Sequence, residues 1–452
     1  MLIKNGIKVC EILRANGFEA YFVGGCIRDM MMNTPIKDVD ITTNALPSDV
    51  QQIFPSHIDT GLAHGTVSVR PSKDSDFYEV TTYRIDGKYD DGRHPNGVVF
   101  TPSLREDLAR RDFTINSFAY DPIDELIVDP FNGEADIANK IIRCVGDAKS
   151  RFMEDPLRVL RAMRFAIKYD FDIEENTKNA MHDAEVLNKL NECISKERIT
   201  DELRKMLVCN KPISKIFIEF SDIISVIIPE MRVCVNASHN SNWHKHDIYE
   251  HMLSVVDSCD TNRFEVKLAA LLHDIGKPAS RIVGDGCDHF YGHPEVSENI
   301  ARDIFAHDLI ISNLEKIRVL NLISMHDIYI NDSPKAMTRF LANTSEDFIS
   351  DWIILKGADL SDHIAPEGKH EEWSNTWERF NNFKANIDNV IANANALKVT
   401  DLAINGRDII EIFNIKPGPK IGEILRQTFE DVLDEKCAND REALLEHVKT
   451  LV

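Results

Sequence analysis

The spacing of apolar residues divides the chain into a strand-containing first part and a longer helical part. Up to about residue 145, short strand-like runs alternate with short helices, and Gly, Pro, Asn and Asp separate them. The predicted strands cover 20–23, 39–42, 66–69 and 77–83. From Ser150 onward, apolar residues recur at helical spacing almost to the last residue. The pattern therefore predicts an α+β fold in which a head with a small mixed sheet precedes an all-helical body.

Changes of composition divide the helical part further. A loop containing Pro229 and residues 235–242 separates a neck from a histidine-rich segment. A polar, Trp-containing stretch at 366–382 leads into a last helical piece. We predict four domains: a head (1–145), a neck (146–235), a histidine-rich domain (236–365) and a tail (366–452).

Composition narrows the class of protein. The chain has 452 residues, of which 43% are hydrophobic, so it can form sizeable cores and is not of disordered composition. No apolar run approaches the ~18 residues that span a bilayer, and 1–17 has the pattern of an amphipathic helix, not of a signal peptide. Nine scattered cysteines without a CxxC pair indicate reduced thiols in a cytoplasmic protein. The net charge of −22 argues against a general nucleic-acid binder, so any RNA contact requires local basic surfaces.

Three short patterns in the head suggest chemistry on nucleotides. Gly24 and Gly25 end a predicted strand and open a helix, where free N–H groups and Arg28 can bind a triphosphate. Such a Gly-Gly pair is also common in plain tight turns. Asp38 and Asp40 stand two residues apart, so on a strand both carboxylates share a face and attract Mg²⁺. A polar strand edge is the alternative.

The third pattern pairs basic and acidic groups. Arg110 and Arg111 offer guanidiniums for phosphate oxygens, and Asp112 can accept a hydrogen bond from a ribose hydroxyl. Taken alone, these residues could be a surface ion-pair cluster. The order and spacing of all three patterns are much more specific than any one of them.

Together the three patterns closely resemble the head domain of the class II tRNA nucleotidyltransferase and bacterial poly(A) polymerase family, within the polymerase-β superfamily. The resemblance implies that Asp38 and Asp40 hold two Mg²⁺ ions, with Glu79 as a candidate third carboxylate. The implied nucleotide-binding residues are Gly24, Gly25 and Arg28 at the triphosphate and Arg111 and Asp112 at the sugar-phosphate. Residues 89–97 are expected to form a mobile loop over the site.

The neck contains a pair that can distinguish bases without a nucleic-acid template. Asp155 and Arg158 are three residues apart near a helix start, which Pro156 marks. Cytosine and adenine each present an amino donor beside a ring-nitrogen acceptor, and a carboxylate beside a guanidinium complements that edge. Uracil and guanine present the opposite pattern, and leaving buried groups unpaired costs about 1–3 kcal/mol each.

In the resembling family the EDxxR motif has this template role, and Glu154, Asp155 and Arg158 match it. Arg161 and Arg164 extend the basic face and are expected to bind nucleotide or RNA phosphates. The alternative is a well-capped helix whose arginines form a solvated face.

Histidines and aspartates in the middle domain form a metal-ligand pattern, with His251 first, then His273 and Asp274, then His293, His326 and Asp359. This order on successive helical segments resembles the HD phosphohydrolase superfamily. The resemblance implies one metal on His251, His273, Asp274 and Asp359, and a second metal served by His293 and His326. Imidazole and carboxylate ligands suit Mn²⁺, Ni²⁺, Fe²⁺ or Co²⁺.

A metal-activated water would attack phosphoesters, such as 2′,3′-cyclic or terminal phosphates on damaged RNA ends. A structural hydrogen-bond pair or a vestigial site remains the alternative. His239, His244 and His246 are interpreted as surface residues.

The tail offers Lys416 and Lys420 beside glycines, in a predicted loop and helix start where RNA phosphates can bind. The segment around them resembles the part of the family that grips the tRNA elbow, although it could be a simple helix–helix turn.

The resemblances imply addition of C, C and A to the 3′ end of tRNA from CTP and ATP with release of pyrophosphate. They also imply a second, phosphohydrolase activity, and partners that include the tRNA 3′ end and elbow but no membrane. Poly(A) addition, A-only or C-only addition, and an HD phosphohydrolase with the head as an RNA-binding module remain open. The HD domain and the tail favour CCA addition.

Overall fold

The structure is a computed structural model that describes residues 1–87, 97–241, 243–284, 287–365, 367–393 and 398–452. The chain divides into two units. The first comprises residues 1–232 and 304–311, and the second comprises 233–303 and 312–452. The first includes the predicted head and most of the predicted neck, and the second includes most of the predicted HD domain and the tail.

The head is built on a seven-stranded mixed sheet of order β3-β4-β5-β2-β1-β8-β9, in which β2 and β5 are parallel and the other neighbours antiparallel. Two short two-stranded sheets pair β6 with β7 and β10 with β11. The strands are β1 Ala20–Val23, β2 Asp40–Thr43, β3 His57–Gly61, β4 Thr66–Val69, β5 Tyr78–Thr82, β6 Arg84–Asp86, β7 Val98–Phe100, β8 Ala119–Asp121, β9 Leu126–Val128, β10 Ile141–Ile142 and β11 Asp172–Ile173. The predicted mixed sheet is confirmed.

Helices form the rest of the first unit. They are α1 Leu2–Ala15, α2 Gly25–Met31, α3 Pro47–Ile53, α4 Leu104–Ala109, α5 Gly133–Ala138, α6 Ala148–Glu154, α7 Leu157–Tyr169, α8 Glu175–Met181, α9 Ala184–Cys193, α10 Lys196–Leu207, α11 Ser214–Glu219 and α12 Ser221–Ile227. Helix α1 is the predicted amphipathic helix: Val9, Cys10 and Leu13 are buried on one face, in the cluster that also contains strand residues Phe22 and Ile41.

The second unit is helical in the part of the chain that the structure describes, apart from single β-bridges. Its helices are α13 Ile248–Ser258, α14 Phe264–Leu272, α15 Lys277–Ser280, α16 His293–His307, α17 Asn313–Met325, α18 Pro334–Ala342, α19 Glu346–Asp362, α20 His370–Asn393, α21 Gly406–Phe413, α22 Pro419–Leu433 and α23 Arg441–Val448. The last residues of α16, from 304 on, belong to the first unit. Helices α13, α14, α17 and α19 pack against one another. Tail helices α21 to α23 share a separate apolar cluster.

The structure corrects one local prediction: Asp38 precedes β2, which begins at Asp40, so the two carboxylates do not share a strand. The polar stretch at 366–382 lies largely in helix α20, where Phe380, Phe383 and Ile387 recur at helical spacing and are buried. Helix α21 begins at Gly406, and Asn405 caps it by accepting hydrogen bonds from the backbone N–H groups of Arg407 and Asp408.

The cysteines and the hydropathy of the helices can also be compared with the expectations from composition. All nine cysteines have free thiols. Among the described residues, every helix is too short or too polar to cross a bilayer.

Close packing at Gly133 gives a test of the head. A Cβ on Gly133 would lie 2.2 Å from the carbonyl oxygen of Thr114 and 2.7 Å from the Phe118 ring. We expect Gly133→Ala to lower the free energy of unfolding of the head by about 1–3 kcal/mol, through overpacking. All four tryptophans lie in the second unit. For Gly133→Ala, the midpoint of urea unfolding followed by circular dichroism should therefore fall. The midpoint followed by tryptophan fluorescence should stay unchanged.

Gly97→Ala is the matched control, because a Cβ there would meet no atom of the described residues within 4 Å. Equal midpoints for the two variants would contradict this account of the packing.

Candidate functional site

Three carboxylates lie near the amino ends of the neighbouring inner strands β2 and β5 of the head sheet. Ile41 of β2 pairs with Val80 of β5 in a parallel register, so Asp40 and Glu79, one residue earlier on each strand, are neighbours on the same face. Loss of hydration is the main cause that raises the pKa of Asp40 to about 6, and the charges of Asp38 and Glu79 add to it. Carboxylates that destabilise one another in this way favour a divalent cation between them.

Arg111 provides positive charge next to these carboxylates. Its guanidinium lies against Gly24, where an added Cβ would be 2.9 Å from Nη1. Gly24 has a φ of 74°, so both its conformation and this close approach favour glycine. The Nε of Arg111 is buried and donates no hydrogen bond to the described residues. An anionic ligand such as a phosphate would satisfy it.

A network of hydrogen bonds joins residues of two head patterns to helix α7 of the neck. Arg28 donates from Nη1 to Asn116 Oδ1 at 2.6 Å, and Asn116 donates from Nδ2 to Asp112 Oδ1 at 3.0 Å. Arg161 of α7 donates from Nε to Asp112 Oδ2 at 2.9 Å. Burial opposes the charge of Asp112, but Arg161 and Asn116 outweigh it and hold the pKa of Asp112 well below its usual value. The guanidinium of Arg28 also lies 4.9 Å from the ring centre of Tyr169 on α7.

The template motif lies at the junction of α6 and α7. The helix start predicted at Pro156 is confirmed, and Asp155 before it has an extended backbone, as expected for a residue that precedes proline. Arg158 donates to Glu154 Oε2 at 2.7 Å, whereas Asp155 Oδ2 accepts from Arg198 of α10 at 3.0 Å. Each member of the predicted Asp155–Arg158 pair is thus held by a different neighbour of opposite charge.

Arg161 and Arg164, the other two arginines of the predicted basic face, are also paired. Arg164 donates from Nε to Glu202 Oε2 at 2.6 Å, and Glu202 is 3% exposed. Together with the bond between Arg161 and Asp112, this pairing argues against a simple solvated basic face. Phosphates that approach these arginines would compete with carboxylates already in place.

The second unit brings together the side chains of the predicted metal centre. His273, His293 and His326 each donate from Nδ1 to a backbone carbonyl, at 2.8 Å, 2.9 Å and 2.6 Å respectively. His251 donates from Nδ1 to Asp362 Oδ2 at 2.8 Å. In all four rings Nδ1 therefore holds the proton of the neutral form, and Nε2 is left with a lone pair.

These four lone pairs converge. The Nε2 atoms of His251 and His273 are 3.3 Å apart, and those of His293 and His326 are 3.1 Å apart. Two unprotonated nitrogens at such distances repel unless a cation lies between them. The donor set consequently fits divalent metal ions.

One carboxylate is shared by both histidine pairs. Asp274 Oδ2 is 3.3 Å from His251 Nε2, and Asp274 Oδ1 is 3.2 Å from His293 Nε2. Two possible ligand groups follow, one of His251, His273 and Asp274 and the other of Asp274, His293 and His326. Asp359 Oδ1 is also 3.3 Å from His251 Nε2. A bridging carboxylate between two triads suits two adjacent ions.

The charge balance points the same way. Burial disfavours a charged imidazole, yet Asp274, Asp359 and Asp362 together raise the pKa of His251 to about 10, so without a metal ion these carboxylates keep a proton on that ring in place of a bound cation. Lys277 on α15 contacts Asp274 Oδ2 at 2.6 Å. The site has enough negative charge to retain cations in a buried position.

Two of the histidines interpreted as surface residues are not on the surface. His239 is only 2% exposed, and neither ring nitrogen forms a hydrogen bond with the described residues. Its ring stacks on His244 at 3.7 Å and lies 5.5 Å from His251. Burial lowers the pKa of His239 to about 2, so the ring is neutral. The surface prediction is therefore wrong for His239 and for the partly buried His244, whereas His246 is one-third exposed beside Glu250.

Sequence reasoning also missed residues that hold the predicted ligands in place. Asp362 orients His251, Lys277 neutralises Asp274, and Arg198 binds Asp155. Asp362 follows Asp359 by one helical turn, so its spacing was an available signal. Arg198 lies outside any motif, and only the packing of α10 against α7 brings it to Asp155.

Lys416 and Lys420 are exposed at the start of α22 and form no ion pair within the residues that the structure describes. The loop predicted over the head site falls mostly on 88–96, outside the described residues.

Four models of known protein families match separate parts of the chain. The model of the poly A polymerase head domain matches residues 20–143, and the model of the probable RNA and SrmB-binding site of polymerase A matches 170–231. The HD domain model matches 245–356, and a putative domain 2 of tRNA nucleotidyltransferase matches 375–448.

Individual relatives extend over the whole chain. The CCA-adding enzyme of Lactococcus lactis subsp. cremoris is 30% identical over 457 residues, covering 98% of this chain and 95% of the relative. That of Leuconostoc citreum is 31% identical over 447 residues with the same coverage. The crystal structure of the Bacillus stearothermophilus CCA-adding enzyme in complex with CTP superposes with a TM-score of 0.68 at 28% identity, over 99% of this chain and 98% of that one. The Thermotoga maritima enzyme complexed with tRNA shares the fold, with a TM-score of 0.56 at 20% identity over 98% and 94% of the two chains. The chain belongs to the CCA-adding enzyme family, and it has an HD domain.

Proposed function

We propose that this chain adds C, C and A to the 3′ end of tRNA, using CTP and ATP and releasing pyrophosphate. Its relatives along nearly the whole chain are CCA-adding enzymes. The observation that best supports the proposal is the network from Arg28 through Asp112 to Arg161, because it joins the predicted nucleotide site to the template helix.

In the head, Asp38 and Asp40 are the proposed ligands of Mg²⁺, with Glu79 beside them. Bound Mg²⁺ would favour the deprotonated RNA 3′-hydroxyl and neutralise the leaving pyrophosphate. Gly24 and Gly25 let the backbone approach the triphosphate, and Arg28 and Arg111 add positive charge around it. The 3′-oxygen of the RNA forms a bond to the α-phosphorus while the bond to pyrophosphate breaks. The network around Asp112 keeps these groups in a fixed geometry.

Selection of C and A is assigned to Asp155 and Arg158. Glu154 and Arg198 orient them, so the carboxylate and guanidinium are positioned before a base arrives. Preorganised donors and acceptors reject uracil and guanine more strongly than mobile ones, because the wrong base leaves them unpaired. Exposed Lys416 and Lys420 are proposed to contact the phosphates of the tRNA elbow. Poly(A) addition is less well supported, since the similar full-length relatives are CCA-adding enzymes.

The second unit is proposed to hydrolyse phosphate esters at RNA ends. His251, His273, Asp274 and Asp359 would hold one divalent ion, and His293 and His326 a second that shares Asp274. The ions, of the Mn²⁺, Ni²⁺, Fe²⁺ or Co²⁺ class, would supply a hydroxide at neutral pH. A water oxygen bonds to phosphorus, the ester P–O bond breaks, and the leaving alcohol oxygen takes the proton. Removing an end phosphate leaves the hydroxyl that the head extends.

The direct test uses a tRNA transcript that lacks CCA, with Mg²⁺ and labelled nucleotides added singly and in pairs. CTP with ATP should extend the RNA by three residues, whereas UTP and GTP should add none. Long A-tails would instead identify a poly(A) polymerase.

Replacing one head carboxylate separates the two activities. We expect Asp40→Asn to reduce nucleotide incorporation by at least about 10²–10³-fold, because it removes a charge that binds the metal. Hydrolysis of glycerol 2-phosphate by the same sample should not change. Asp59→Asn is the control, since Asp59 is an exposed carboxylate of the same sheet that accepts a hydrogen bond from Gln51. Retained incorporation in Asp40→Asn would remove Asp40 from the catalytic set.

Arg198 provides a test of the template geometry. Arg198→Ala should free Asp155 and lower kcat/KM for CTP by about tenfold, equivalent to ~1.4 kcal/mol. Discrimination against UTP should fall as well, because the carboxylate is no longer fixed. Lys215→Ala is the control, as it breaks an exposed ion pair with Asp172. A variant that loses activity equally with all nucleotides, without loss of discrimination, would argue against a positioning role.

Metal content tests the second unit. The purified chain should bind two transition-metal ions, and His273→Ala should lose metal and more than about a hundredfold of phosphoesterase activity. CCA addition with Mg²⁺ should persist. His289→Ala is a suitable control, because His289 is an exposed histidine that stacks on Tyr291. Full hydrolysis after chelation and dialysis would contradict the assignment.

A further inference from the structure

A cavity of about 410 Å³ opens beside the histidine–aspartate centre of the second unit. Its wall includes Asp359, whose Oδ1 lies 3.3 Å from His251 Nε2. The predicted metal centre therefore communicates with a space large enough for a small ligand, since ligand pockets commonly enclose about 300–1,000 Å³. The metal ligands alone do not account for the side chains that line it.

The inner end of the cavity is polar and held in place. Lys356 is 6% exposed, and its ammonium lies 3.5 Å from Asp359 Oδ2. His244 also lines the cavity, and its Nδ1 is buried without a hydrogen-bond partner among the described residues. A backbone bridge pairs His244 with His363, and Ile364 N donates to the carbonyl of Trp243 at 2.9 Å. This wall is consequently fixed without a ligand.

The outer end is aromatic. The rings of Trp243 and Trp373 both line the cavity, with centres 6.1 Å apart and planes inclined at 59°. Tyr329 and Arg379 line the same cavity. Tyr329 is 74% exposed, and the guanidinium of Arg379 lies 5.1 Å from the centre of the Tyr329 ring. Aromatic and guanidinium faces are the surfaces on which nucleobases stack, at about 1–3 kcal/mol per base.

We propose that this cavity binds a nucleotide, with the base against Trp243 and Trp373 and the phosphate directed toward Lys356 and His244. The proposal rests on the phosphohydrolase function proposed for the second unit and specifies its substrate class. Substrates of this site are nucleotides or nucleotide-terminated RNA, and the base contributes to recognition. A phosphate ester without a base would reach the metal centre but lose the aromatic contacts.

Steady-state hydrolysis by the metal-bound full chain tests the pocket. We expect kcat/KM for 3′-AMP to exceed that for glycerol 2-phosphate by at least about tenfold, or ~1.4 kcal/mol. Trp373→Ala should raise KM for 3′-AMP toward the value for glycerol 2-phosphate, with kcat, metal content and CCA addition unchanged. Tyr291→Ala is the control, because Tyr291 is 73% exposed and does not line the cavity. Equal efficiency on both esters in the unmodified chain would overturn the proposal.

Fluorescence distinguishes a failed pocket from a failed hydrolase. The first unit contains no tryptophan, so nucleotide binding in the head does not quench tryptophan directly. If neither ester is hydrolysed, the proposed hydrolase function fails, and 3′-AMP should still quench tryptophan emission while ribose 5-phosphate does not. Quenching that persists in Trp373→Ala, or none in the unmodified chain, would reject the nucleotide pocket itself.

Discussion

The bond between the buried carboxylate of Asp112 and the guanidinium of Arg161 is the interaction on which the proposed transferase site depends. It ties the last segment of the head site to the helix that begins with the template motif. Through Asn116 the same carboxylate reaches Arg28, which packs against Tyr169 of that helix. Removing Arg161 would leave the buried carboxylate short of a charged donor, at a cost of about 1–3 kcal/mol, since the Arg161 side chain is itself one-third exposed. The nucleotide site and the template are thus parts of one polar network.

In the predicted metal centre of the second unit, the buried carboxylate is compensated in a different way. Asp112 is satisfied by protein donors on both oxygens, whereas neither oxygen of Asp274 accepts a well-directed hydrogen bond from the described residues. Four neighbouring imidazoles have their Nδ1 protons committed elsewhere, so they present lone pairs to the same space. A carboxylate and four lone pairs together need cations from outside the protein. This difference separates a positioning carboxylate from a metal-binding one.

Much of this arrangement could be predicted from the sequence because it depends on local spacing. Strands 20–23 and 66–69 and the helix start at Pro156 follow from patterns within a few residues. The metal ligands are far apart in the sequence, and their order was recognised by its resemblance to a known family. Contacts made by tertiary packing could not be predicted in this way. Arg198 reaches Asp155 across 43 positions, and His239 is buried only because the fold stacks it on His244.

The chain's charge of −22 constrains how it can bind RNA. Arg161 and Arg164 are already paired with Asp112 and Glu202, so they offer less free charge to phosphates than their number suggests. Electrostatic attraction to the RNA backbone is correspondingly limited to small surfaces, such as the one around Lys416 and Lys420. Backbone charge is also the component of affinity that does not depend on sequence. An acidic body in which Arg161 and Arg164 are already paired therefore shifts recognition toward base edges, at Asp155 and Arg158, and away from indiscriminate RNA binding.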